Sequence, residues 1–88
     1  MSERKKLLAQ VLSGRSDNNI HFDSLCRLLV SLGFEKRIRG DHYIFTRNGI
    51  DEILNIQPLG NQAKSYQIKQ IRTIIIRYKL GGEDADQV

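Results

Sequence analysis

His42 is the residue of this sequence best suited to move a proton. It follows a Gly40-Asp41 turn and heads the run His42-Tyr43-Ile44-Phe45, with Arg39 three residues before it. Imidazole is the side chain that gains and loses a proton near neutral pH, so it can serve as a general acid or base. Strand alternation puts His42 on the face of Ile44 and Thr46, opposite Tyr43 and Phe45. With Phe45 in the core, His42 lies on the open face. The plainer alternative is a solvated or capping histidine beside a turn.

Two groups of basic residues could hold phosphates near it. Lys36, Arg37 and Arg39 lie on the strand before the turn, and Arg47 ends the strand that His42 opens. Lys64, Lys69 and Arg72, with Arg77 and Lys79, flank or lie on the last helical segment, where Gln67 and Gln70 add hydrogen-bonding capacity. Charge and shape of this kind grip an RNA backbone without reading much sequence. The alternative is an ordinary solvated helix face, above all for Arg77 and Lys79.

Other chemistry finds little support. Cys26, the one cysteine, sits among apolar neighbours and reads as a core thiol; alone it allows neither a disulfide framework nor a multi-cysteine zinc site. His21 reads as a loop or helix-start residue. No nucleophile elbow, phosphate loop or dinucleotide fingerprint occurs. No metal and no cofactor are expected.

These groups must be positioned by one small domain, for 88 residues allow no deep interdomain cleft. The net charge is +4, but residues 1–80 carry 14 bases against 7 acids, a net of +7. Glu83, Asp84 and Asp86 offset it in a tail, 81–88, expected to be mobile. A basic body of this size can attract polyanions, nucleic acid first. With no long apolar run and no signal-peptide h-region, no membrane partner is expected and a cytoplasmic setting is the default.

The spacing predicts a helix over residues 3–12 with Leu7, Leu8, Val11 and Leu12 on one stripe, capped by Ser2 and stopped at Gly14. A second is predicted over Phe22–Leu32, capped by Asp23 and ended by Gly33. Phe34–Arg39 reads as a half-buried strand, His42–Arg47 as a second, and Ile50–Gln57 as a third ending at Pro58. Asn48-Gly49 is the strongest hairpin signal; Leu59–Lys64 reads as a loop. A last helix, Tyr66–Lys79, is capped by Ser65, carries the stripe Ile68, Ile71, Ile74, Ile75 and Tyr78, and ends at Gly81-Gly82. The order α-α-β-β-β-α defines an α+β fold, a three-stranded antiparallel sheet with helices on one face.

At this point the residues resemble a known family. The run Leu32-Gly33-Phe34, then Arg39-Gly40-Asp41-His42-Tyr43-Ile44-Phe45, is similar to the Leu-Gly-Phe … Gly-Ser-His-hydrophobic signature of HicA toxins. Asn55-Ile56-Gln57 and the block from Ala63 to Arg72 resemble one branch of that family, with its Ala-Lys-Pro-Tyr-Gln-Val-x-Gln-Val-Arg block. The likeness covers roughly residues 20–80; the opening helix, about 1–14, looks like that branch's N-terminal extension. It implies a double-stranded-RNA-binding-domain-like fold and a toxin that cleaves mRNA and is held inactive by a HicB-type antitoxin. It also implies that His42 is the essential histidine and Gly40 the motif glycine. Two positions depart from the pattern: Asp41 stands where Ser is usual, and Ser65 where Pro is usual. The implied chemistry is attack of the RNA 2′-hydroxyl on the adjacent phosphate, with His42 as general acid or base and cations stabilising the phosphate charge. A non-catalytic RNA-binding module, and a protein whose basic face meets only an acidic partner, are the alternatives. Oligomeric state and the part played by the opening helix stay open.

Overall fold

A computed structural model describes residues 3–81. The expected Ser2 cap, Gly82 and the acidic residues of the tail lie outside the described residues. The elements are α1 (Glu3–Ser13), α2 (Phe22–Ser31), β1 (Glu35–Arg39), β2 (His42–Thr46), β3 (Leu54–Ile56), β4 (Pro58–Leu59), β5 (Gln62–Ala63) and α3 (Ser65–Tyr78). β1, β2 and β3 form an antiparallel sheet in that order, and β4 and β5 form a separate two-stranded hairpin. Among the described residues this is the α+β architecture expected: three helices and a three-stranded antiparallel sheet. Among the described residues, no helix is long and apolar enough to cross a membrane.

The apolar stripes meet in one core. Leu8 and Val11 of α1, Leu25 and Leu29 of α2, and Ile68, Ile71 and Ile75 of α3 are fully buried with Phe45, Leu54 and Ile56 of the sheet. Burying a side chain of this size contributes about 1.5–3 kcal/mol. α1 therefore closes the core, a role the sequence left undecided. Phe22 and Tyr43 meet edge to face with ring centroids 4.8 Å apart, so α2 grips the centre of the sheet.

Several boundaries differ from the sequence reading. Asp23 does not cap α2; His21 takes that position in extended conformation, with no side-chain cap. Its neighbours pair with the 58–63 hairpin instead: Ala63 N–H donates to Ile20 O (2.8 Å) and Phe22 N–H to Asn61 O (3.0 Å). Those bonds turn the expected 59–64 loop into ordered strands. At α3 the cap position falls to Lys64, not Ser65, and the helix ends on Lys79 in the left-handed region (φ 54°). A backbone turn there leaves no need for the Gly81-Gly82 stop.

The strands also shift. β1, expected to be half-buried, is exposed along its whole length. It is the edge strand, and only Phe34 just before it reaches the core. Gly40-Asp41 makes the tight hairpin, with Arg39 opposite His42; Gly40, at φ 61°, supplies the positive φ that a type II′ turn needs at its first central position. At Asn48-Gly49 only Gly49 has positive φ (89°), and Ile50 N–H donates to Arg47 O. That is a type II turn, whose twist splays the flanking strands. Pairing resumes only at Phe45 opposite Leu54, so the third strand is Leu54–Ile56 and not Ile50–Gln57.

The wide connection before β3 is pinned through Glu52, which accepts hydrogen bonds from Tyr78 Oη (2.6 Å) and from the Arg77 guanidinium. The Tyr78 bond, then a backbone hydrogen bond at Glu52 itself and the charge and hydrogen bond of Arg77, outweigh desolvation and hold the Glu52 carboxyl below its usual range. The same bond pushes the Tyr78 phenol up. A lowered carboxyl contributes stability above its unfolded value and loses it as pH falls through the folded one; a raised phenol contributes below its unfolded value and loses it as pH rises. Urea denaturation against pH should therefore show stability falling below about pH 4 and above about pH 10, with both arms reduced in Glu52→Gln.

Candidate active site on the open sheet face

β2 is the central strand, and its alternation sorts the site. Phe45 is fully buried and Tyr43 packs against the core, so His42, Ile44 and Thr46 turn to the other side. The register adds Arg39 opposite His42 and Arg37 opposite Ile44 on β1, and Asn55 opposite Ile44 on β3. Directly opposed residues share a face and lie about 5 Å apart. The helix-free face thus presents an imidazole flanked by two exposed guanidinium side chains.

His42 is held on two sides. Its Nδ1 lies 3.0 Å from Asn55 Oδ1, and its Nε2 lies 3.3 Å from Gln57 Nε2. Gln57 Nε2 also donates to Asp41 Oδ2 at 3.3 Å. Asp41 Oδ1 stands 3.8 Å from His42 Nε2, and the histidine side chain is 48% exposed. The imidazole is anchored yet reachable, which is what proton transfer to a bound polymer requires.

The remaining sequence candidates separate. Lys36 faces the helix side of β1, opposite Phe45. Arg47 lies at the far end of β2, about 17 Å along the strand from His42, against Gly33. Lys64 caps α3; Gln70 is exposed on that helix, and Lys69 lines a polar groove with Gly14, Asp17, Asn18 and Ser65. Two candidates turn out to hold the fold. Arg72 donates to both carboxylate oxygens of Asp17 (2.9 and 3.1 Å) and to Val11 O (3.0 Å), so its charge is already engaged. Gln67 is buried at 1% exposure and cannot reach a nucleic acid. With its amide turned so that the nitrogen faces Gln57 O and the oxygen faces Gln57 N–H, the orientation that pairs donors with acceptors, it donates to the first (3.2 Å) and accepts from the second (3.0 Å).

Gln67 thereby fixes the backbone of Gln57, one residue past β3, where strand pairing has ended. Gln67→Leu should destabilise the fold by about 1–3 kcal/mol, the cost of two backbone groups left unpaired, read as a lower urea midpoint at unchanged slope.

Sequence reasoning gave no role to Asn55 and Gln57. Their signal was alternation: both are polar between and beyond buried Leu54 and Ile56, which puts them on the His42 face once β3 is paired to β2. The buried thiol of Cys26, by contrast, matches its reading as a core residue. Burial pushes it up to about 11, against a smaller opposing pull from Lys36, so it stays protonated and unreactive at neutral pH. Among the described residues, no group of three or more His, Cys, Asp and Glu side chains could hold a metal ion.

No family model, no curated protein and no solved structure matches this chain.

Proposed function

We propose that this protein is an endoribonuclease of the HicA type, built on a double-stranded-RNA-binding-domain-like fold and acting on mRNA as the toxin of a toxin–antitoxin pair. The observation that carries the reading is His42 on an open sheet face, anchored by Asn55 and Gln57 and flanked by Arg37 and Arg39. The order helix, antiparallel three-stranded meander, helix supports the fold assignment.

In the proposed reaction the RNA 2′-oxygen attacks the adjacent phosphorus in line. Its proton passes to His42 Nε2, the bond from phosphorus to the 5′-oxygen breaks, and that oxygen takes a proton from solvent. Arg37 and Arg39 stabilise the charge that builds on the phosphate. The products are a 2′,3′-cyclic phosphate and a 5′-hydroxyl. A face this small and open suits a HicB-type antitoxin that covers it.

One observation favours a second reading, RNA binding without cleavage: the Asp41 carboxylate stands beside His42 Nε2, where it repels phosphate. Incubating the purified protein with a synthetic mRNA in excess chelator separates the two. Fragments ending in 2′,3′-cyclic phosphate support the nuclease; a retarded but intact RNA supports the binding module; neither outcome, with antitoxin binding retained, leaves only a protein-interaction face.

A further inference from the structure

We infer that Gln57 is a positioning residue that, oriented by Asp41, holds His42 as the Nδ1–H tautomer with Nε2 unprotonated. The inference rests on the reading of His42 as a base and adds which nitrogen acts and what sets it. An ionised carboxylate can only accept hydrogen bonds, so the Gln57 atom 3.3 Å from Asp41 Oδ2 is the amide nitrogen. That same nitrogen lies 3.3 Å from His42 Nε2. An amide nitrogen only donates, so Nε2 must be the acceptor. The single proton of the neutral ring then sits on Nδ1, where Asn55 Oδ1 receives it at 3.0 Å. The chain Asp41–Gln57–His42–Asn55 has one self-consistent set of donors and acceptors.

Free histidine prefers its proton on Nε2, so this network reverses the default. It also gives Asp41 a purpose in place of the usual serine: it turns the glutamine amide. The bonds to Nε2 and to Asp41 are long and solvent-facing, so an incoming 2′-hydroxyl can displace the amide from Nε2 while Asp41 retains it. Gln67 supplies the fixed backbone from which this side chain swings.

The test is long-range proton–nitrogen correlation NMR on the intact, ¹⁵N-labelled protein without RNA, above about pH 8 where an imidazole is neutral. The expected spectrum shows a pyrrole-type Nδ1 and a pyridine-type Nε2 for His42. Gln57→Leu should restore the Nε2–H pattern, and so should Gln57→Asn, which keeps the amide but falls short of the ring. A wild-type Nε2–H pattern, or an Nδ1–H pattern that survives both variants, overturns the inference. In the cleavage assay Gln57→Leu should lower kcat about 10-fold, with KM little changed. Because the spectrum needs no RNA, the two ideas fail separately: an Nδ1–H ring in a protein that does not cut RNA rejects the nuclease alone.

Discussion

His42→Ala should lower the rate of RNA cleavage by roughly 10²–10⁴-fold, the range that one general acid–base group supplies, while RNA binding stays within a few-fold of the parent. The separation follows from the site's construction. In the proposed reaction the phosphate-holding charges are those of Arg37 and Arg39, across the hairpin from His42 and Ile44, and the variant leaves them in place. Stability should also hold, since the side chain is about half exposed and exposed substitutions shift stability by about 0.5 kcal/mol or less. Single-turnover cleavage and a filter-binding isotherm measure the two quantities on one preparation. A variant that cuts like the parent removes His42 from the chemistry. The reverse variant, Arg37→Ala with Arg39→Ala, should weaken binding and flatten its salt dependence.

Arg72→Met should cost about 3–5 kcal/mol of folding stability, the loss expected when one partner of a largely buried ion pair is removed. Only 20% of the Arg72 side chain and 11% of the Asp17 side chain are exposed, so water replaces the lost bonds only in part. Val11 O loses its donor as well. At about 4–8 °C per kcal/mol for a chain of this size, thermal melting should fall by more than 10 °C. Asp17→Asn, which keeps a neutral acceptor for the guanidinium, should cost less. If Arg72→Met instead melts like the parent while losing RNA affinity, Arg72 belongs to the binding surface, as its place in a basic helix suggested.

Arg72 shows where the sequence stopped being informative. Its charge and helical position were legible, but its partner lies 55 residues away, and no local pattern encodes that distance. The same limit hid the 58–63 hairpin, which is ordered by Ile20 and Phe22. What was legible is what period and turn chemistry determine locally: three helices, three strands, the Gly40-Asp41 turn and the outward face of His42. The Asn48-Gly49 signal misled because the dipeptide suits two turn types, and here the chain takes the one that opens the strands. Gln67 read as a phosphate ligand for a similar reason. An amide on a basic helix looks solvent-facing until the end of β3 is packed against it.

The tie between Arg72 and Asp17 also joins the last helix to the chain before the sheet. Strand partners in the meander lie 13 residues apart or fewer, so β1 to β3 can zip as soon as they are made. The core cannot close then, because α1 and the loop after it are tied to α3 through Arg72 by contacts that span most of the chain. Non-local contacts of this kind slow folding, because closure entropy is spent before they form. During synthesis the strand bearing His42 therefore emerges after α1 and α2 but before α3, the helix that completes the core behind it. The core behind the sheet is complete only once the last helix has joined it.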